Sequence, residues 1–317
     1  MMRKTMAARP LPRKSDRLMH RNLKDNIEYY IMLAIPLLLI LIFCYLPMGG
    51  IIIAFQNYSV GKPLFGEGVD WVGLEHFKTF ISSYYFGRII RNTLLMNIMC
   101  LVFGFWVPIV FALTLNEIRN KKFQKFTQTV SYMPNFISTV VVVGMFLSFI
   151  ADDGIVPALL GVFGIEVKSL NTSQAGFPWY YTIINIWKSF GWNSILFLAS
   201  ISAIDPGLYE SADLDGATRM QKIRYITLPS MLPTIMIQLI FAAGGLLGAN
   251  SEMILLLYNS AVLETADVIG TYVYRETLIG GMYSYGTAAG LLMSLFSFTL
   301  VSIVNRIARK YTEYSIW

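Results

Sequence analysis

Residues 205–229 read Asp205-Pro-Gly-Leu-Tyr-Glu-Ser-Ala-Asp-Leu-Asp-Gly-Ala-Thr-Arg-Met-Gln-Lys-Ile-Arg-Tyr-Ile-Thr-Leu-Pro229. Asp205 is a helix-capping residue and Pro206 suits a first helical position. A short helix is expected from there to Asp215, and Gly216 permits a tight turn. A second amphipathic piece follows, with Met220, Ile223 and Ile226 at near-helical spacing, and Pro229 is expected to close it. The segment is too polar to cross a membrane and too apolar for a plain linker. It reads as a helix–turn–helix bracket that offers a surface to a partner.

The bracket lies between long apolar runs. Six are legible, approximately Tyr29–Phe55, Ile89–Leu115, Phe126–Ile150, Trp179–Ala203, Leu232–Tyr258 and Tyr285–Ile307. Each is long enough to span a bilayer. The first has a basic flank and an apolar core too long for a secretory leader, and no small-x-small site follows it. The 317 residues are 55% hydrophobic and only 14% charged, against about 25% charged in soluble domains. Mean hydropathy is +0.55. An all-α polytopic membrane protein is expected.

Charge sets the expected orientation. Arg3, Lys4, Arg9, Arg13, Lys14, Arg17, Arg21 and Lys24 precede the first run. With the amino terminus inside, 18 of the 25 Lys and Arg fall on inner segments. That predicts six spans with both termini cytoplasmic. The net charge of +6 therefore reads as an orientation signal that also touches membrane lipid, not as a nucleic-acid footprint. Residues 56–86 carry Gly61, Pro63, Gly66, Gly68 and Gly73 and read as an outer loop of turns. Trp71 and Trp179 sit where interface aromatics are expected.

Several chemistries lack their residues. No phosphate-binding G-x-x-x-x-G-K-[ST] occurs. His20 and His76 lack metal-ligand spacing. Cys44 and Cys100 lie in apolar runs and outline no disulfide framework. No nucleophile–base pair is visible, so an enzyme is not expected.

The bracket resembles the coupling loop of permease subunits of binding-protein-dependent ABC importers. That family's pattern is E-A-A, three residues, G, nine residues, I-x-L-P. Here Glu210-Ser211-Ala212, Gly216, Ile226-Thr227-Leu228-Pro229 match every spacing, with Ser211 in place of the middle alanine. Asp215-Gly216-Ala217 resembles the family's D-G-A. Arg91-Asn92-Thr93-Leu94, Tyr132-Met133-Pro134, Ile137-Ser138, Trp187-Lys188 and Gly191-Trp192 resemble further family signatures. Asp267-Val268-Ile269 and Thr271-Tyr272-Val273-Tyr274 resemble permeases of the oligosaccharide branch. The resemblance covers roughly residues 29–310.

It implies a type I ABC importer permease fold in a bacterial plasma membrane. A basic tail (1–28) would precede the first transmembrane helix and outer loop (29–86). A core transport domain (87–310) would contain the coupling loop 205–231, and a short tail (311–317) would follow. The implied partners are a second homologous permease, an ATPase dimer and an extracytoplasmic solute-binding protein. The chain itself would bind no cofactor; ATP and Mg would sit on the ATPase. Coupling would rest on Glu210, Ser211, Ala212, Asp215, Gly216, Ile226, Leu228 and Pro229.

Substrate contact is expected from polar groups inside the spans. Asn185, Lys188 and Trp192 fall at i, i+3 and i+7 and share a helix face. An amide, a cation and an indole suit a sugar; alternatively Lys188 pairs with a neighbouring helix. Glu252 in the fifth span is the obvious intramembrane anion, with Asn250 and Gln238 as further candidates. Ser131, Asn135 and Ser138 share a face of the third span and either line the path or bond between helices. Gly286, Gly290 and Ser294 read as a close-packing stripe. A rival class is an ion-coupled secondary transporter of a small polar solute, with Glu252 as its carboxylate; it leaves the bracket unexplained.

Overall fold

A computed structural model describes residues 27–165, 170–248 and 250–312. The basic tail and the last five residues fall outside them. Helices dominate; the β-structure among the described residues is a single antiparallel bridge, Gln56 to Trp71. The chain divides into two units, 1–52 and 53–317.

The helices in order are α1 (Ile27–Phe55), α2 (Glu75–Ile81), α3 (Phe86–Asn116), α4 (Lys121–Phe136), α5 (Thr139–Ile150) and α6 (Ile155–Val162). Then come α7 (Phe177–Ser202), α8 (Pro206–Leu214), α9 (Arg219–Leu247), α10 (Ser251–Leu257), α11 (Leu263–Ala266), α12 (Ile269–Tyr274) and α13 (Tyr283–Thr312). Helix α1 is apolar on every side, with no buried residue from Ile27 to Met48. A helix of that kind belongs in lipid or against another chain.

Five stretches of the described residues are long and apolar enough to cross a membrane: Ile27–Phe55, Phe86–Asn116, Thr139–Val162, Arg219–Leu247 and Tyr283–Lys310. Helix α7 has 26 residues, about 39 Å at 1.5 Å each. It is long enough, but Asn185, Lys188, Ser189, Asn193 and Ser194 lower its hydropathy.

Helix α7 packs along α3, α4 and α9, and α13 packs on α9 and α2. Three apolar clusters stack along this assembly. One gathers Ile109, Phe197, Ile201 and Met231 beside the bracket. A middle one gathers Met96, Val142, Tyr181, Ile184, Met253 and Val268. The third, around Phe80, Ile89, Tyr272 and Tyr285, lies where α3 begins.

Three span boundaries differ from the sequence expectation. The third run breaks at Ile137–Ser138. Pro134 lacks a donor for the helix, and the Ser138 hydroxyl accepts from Val141 N–H at 3.4 Å to start α5. Asn135 and Ser138 therefore do not share one continuous helix face. The fifth run begins earlier, at Arg219, and stops at Leu247, so Asn250 and Glu252 lie beyond it. Pro229 does not close the second arm of the bracket. A wide turn over Ile223–Thr227, with Leu228 N–H bonded to Ile223 C=O, carries the helix through the proline; single turns of this kind occur inside α-helices and kink them. The small-residue stripe of α13 is close-packed at Gly286, against Thr277, but open at Gly290.

Gly191 fixes the approach of α7 to α4. A Cβ there would overlap the Ser131 carbonyl. Gly191→Ala is expected to destabilise the purified chain by about 1–3 kcal/mol, the overpacking range. Gly144→Ala, inside α5 with open space around it, is expected to hold or slightly raise the thermal unfolding temperature in detergent.

Candidate functional site

The bracket is built from local signals. Asp205 Oδ1 accepts from Gly207 N–H at 2.9 Å and starts α8. The helix ends on Gly216 at φ +74°. Ala217 N–H bonds Ala212 C=O at 2.9 Å and Gly216 N–H bonds Asp213 C=O at 3.1 Å. Those paired bonds satisfy the last carbonyls, and the glycine takes the left-handed turn without a Cβ penalty. Thr218 then caps α9, its backbone N–H donating to the Gln221 side chain at 2.7 Å.

Two contacts brace the arms. Tyr209 and Thr227 hydroxyls lie 2.9 Å apart, and Lys222 Nζ is 2.7 Å from Asp213 Oδ1. The part-buried hydroxyl pair matters more, since an exposed ion pair contributes at most about 1 kcal/mol. Glu210, Ser211, Asp215, Gly216 and Pro229 are exposed; Ala212, Ile226 and Leu228 are half-buried. Leu208, Leu214, Met220 and Tyr225 are exposed apolar residues on the same bracket. The first five coupling candidates sit on α8 and its turn; the last three sit on α9. A groove of about 360 Å³ runs between the bracket and residues 116–121, lined by Arg119, Lys121, Tyr209 and Arg219 among others.

A cavity of about 590 Å³ opens between α3, α7 and α9. Asn185, Ser189, Trp192 and Asn193 enter it from α7, Asn97 from α3 and Gln238 from α9, among apolar neighbours such as Leu101 and Phe105. Asn185 and Trp192 are thus brought together. Lys188 is not with them: its Nζ donates to Thr139 Oγ1 at 2.9 Å, at the start of α5. The i, i+3, i+7 stripe is split, and the face that lines the cavity runs 185, 189, 193 instead. That i, i+4, i+8 spacing is visible in the sequence. Ser138 precedes Thr139 and caps α5, so it neighbours Lys188 rather than the cavity. Asn135 is half-buried in the last turn of α4.

Asn97 escaped the sequence reading. Its amide donates to Thr93 C=O at 2.9 Å and to Leu246 C=O at 2.8 Å. It therefore holds the last turn of α9 against α3 at the edge of the cavity. Just beyond, Asn250 caps α10 by accepting from Met253 N–H at 3.2 Å, and its own N–H donates to the Tyr181 hydroxyl. Glu252 is exposed in the first turn of α10. Among the described residues it forms no ion pair with Lys188.

At the far end of α3 from the bracket, Asp267 is the hub of a second network. Its carboxylate is fully buried and accepts from Arg275 at 2.8 and 3.1 Å and from Thr271 Oγ1 at 2.9 Å. Arg88 Nη2 stands 3.5 Å away. The hydrogen bond to Asp267 raises the Arg275 pKa above the ordinary guanidinium value. The Asn92 amide donates to Glu264 and Asp267 carbonyls at 2.8 and 3.0 Å, and Thr93 Oγ1 accepts from Ile269 N–H at 3.0 Å. The Asn92-Thr93 and Asp267-Val268-Ile269 stretches, far apart in sequence, are two sides of one joint.

The comparisons agree with this architecture. A solved chain from a bacterial ABC transporter involved in the import of the acidic polysaccharide alginate is 40% identical. It covers 92% of this chain and 98% of its own length, with a TM-score of 0.82. A second, from the bacterial alginate ABC transporter in complex with an alginate pentasaccharide-bound periplasmic protein, is 38% identical, covers 94% and 99%, and has a TM-score of 0.84. The polygalacturonan/rhamnogalacturonan transport system permease protein YteP of Bacillus subtilis (strain 168) is 39% identical over 290 residues, 91% of this chain and 89% of that one. Residues 104–313 match the family of binding-protein-dependent transport system inner membrane components. This chain is a member of that family.

Proposed function

We propose that the chain is the transmembrane permease subunit of an ATP-driven importer that takes up an oligosaccharide delivered by an extracytoplasmic binding protein. The relatives named for polygalacturonan and alginate handle uronate polymers, and we infer an acidic oligosaccharide here. The chain would sit in the bacterial plasma membrane as six crossings, with α7 the polar one and both termini and the bracket cytoplasmic. Residues 1–28 and 311–317 would be tails, 29–86 the first crossing and outer loop, and 87–310 the transport core. A second homologous permease and an ATPase dimer would complete the complex, with ATP and Mg held by the ATPase.

The observation that carries this reading is the continuity of α9. Its first turns form one arm of the braced bracket, and its last turn is bonded to Asn97 beside the polar cavity. A partner that moves the bracket therefore moves the wall of the cavity. Glu210, Ser211, Ala212, Asp215 and Gly216 would meet the ATPase, while Ile226, Leu228 and Pro229 hold the arm. Asn185, Trp192, Ser189 and Asn193 would line the sugar path, amides facing hydroxyls and the indole facing a sugar C–H face. Asn135, Ser138, Lys188, Asn250 and Glu252 would act around it, at the helix breaks.

Gly216 tests the coupling arm. A β-branched side chain at φ +74° is strained by about 1–2 kcal/mol, whereas asparagine tolerates that conformation. Gly216→Val is expected to abolish ATP-dependent uptake by reconstituted transporter and to release the ATPase on purification; Gly216→Asn should keep both. Normal uptake by Gly216→Val would sink the assignment. Uptake that collapses with an ionophore while ATP is intact would instead support an ion-coupled carrier.

The cavity makes a separate prediction. Asn185→Leu and Trp192→Ala are expected to raise the half-saturating sugar concentration about tenfold each, the loss of one hydrogen-bonding or stacking contact. Co-purification of the ATPase should not change. Unaltered kinetics in both variants would remove this cavity from the path.

A further inference from the structure

Two guanidinium groups compete for Asp267, and one loses. Arg275 takes the carboxylate with two short bonds, at 2.8 and 3.1 Å. Arg88 is left with a single 3.5 Å contact to Oδ2. Its Nε is buried with no hydrogen-bond partner. A guanidinium has five donors, and a buried donor without a partner calls for an explanation. Arg88 is not sealed inside the protein: its side chain is 24% exposed.

The surroundings carry excess positive charge. Among the described residues, Arg88 and Arg275 pair with Asp267 and Arg275 also with Glu276, while Arg91 is bonded to the Asn92 side-chain oxygen. Asp267 and Glu276 both engage Arg275, so the surplus falls on Arg88 and Arg91. The Arg88 guanidinium lies 4.9 Å from the centre of the Tyr85 ring. Tyr84 stands edge-on to Tyr85 at 5.5 Å and is 90% exposed. A cation with spare donors beside an open aromatic face matches an acidic sugar. The fork binds a carboxylate in its plane, and a neighbouring ring covers the sugar's C–H face.

We propose that Arg88, with Tyr84 and Tyr85, forms a reception site for a sugar carboxylate at the end of α3 remote from the bracket. Asp267 is its positioning residue: by binding Arg275 it holds the joint and leaves Arg88 incompletely paired. A carboxylate at the exposed part of the side chain supplies the acceptor that Asp267 does not. The site rests on the acidic-oligosaccharide importer reading above and adds to it the place where the substrate's charge is first sensed.

The test uses the complete transporter with its binding protein in proteoliposomes, and tetragalacturonate beside its methyl-esterified form. Arg88→Gln is expected to raise the half-saturating concentration of the acid about tenfold, the loss of one charge-assisted bond pair, and to leave the ester unchanged. Arg88→Lys, which keeps the charge, should recover most of the acid's uptake. Tyr84→Ala should weaken both sugars alike. The binding protein's own preference is common to wild type and variant and cancels in the ratio. An equal loss on both sugars in Arg88→Gln overturns the proposal and makes Arg88 structural. A fall in ATPase stimulation by sugar-free binding protein overturns it too and assigns Arg88 to that protein's surface. Dependence on anionic lipid content rather than sugar charge assigns it to a headgroup. If wild type takes up neither sugar, the acidic-substrate reading fails before Arg88 is judged, and the proposal falls with it.

Discussion

Helix α7 carries Asn185, Lys188, Ser189, Asn193 and Ser194 within about three turns, and hydrocarbon offers none of them a partner. Four helices of the second unit are arranged to answer that need. Helix α5 gives Thr139 to Lys188, α4 closes on Gly191, and α3 and α9 enclose the remaining amides around a shared cavity. The polarity that drops α7 below the hydropathy of its neighbours is the same polarity that makes it the centre of the assembly.

The breaks in the helices obey the same constraint. A helix that stops inside a membrane exposes backbone groups, so each stop must satisfy them locally. Ser138 caps α5, Asn250 caps α10, and Tyr181 takes the free N–H of Asn250. Prolines are carried similarly. Wide turns over Leu41–Tyr45, Cys100–Gly104 and Ile223–Thr227 precede Pro47, Pro108 and Pro229. Before these three prolines the helix shifts its hydrogen-bond register, whereas Pro36 and Pro134 sit inside helices without such a turn.

The bracket was legible because its signals are local. Asp205, Pro206 and Gly216 act within a few residues of themselves, and the turn they specify forms. Pro229 misled because the wide turn that absorbs it has no comparable local mark. The stops at Ser138 and Gly248 were hidden for a different reason: the apolar runs resume a few residues later, at Val140 and Met253, and carry the mean hydropathy across the breaks. Lys188 lies on the edge of a face, and only the arrival of Thr139 from 49 residues away decides which way it turns. Asp267 stood in a stretch already singled out, yet its role needs Arg88, which is 179 residues distant.

Helix α9 has 29 residues in one piece, about 43 Å at 1.5 Å each. A rod of that length behaves as a seesaw. Tilted by about 10° around its middle, it carries each end through about 4 Å, by the same geometry. The Asn97 to Leu246 bond at 2.8 Å has no slack for such a displacement, so Asn97 either travels with α9 or lets go. The two outcomes divide the motion of the bundle into a rigid swing of α3 with α9 and a parting between them, and a single side-chain amide sits where that division is made.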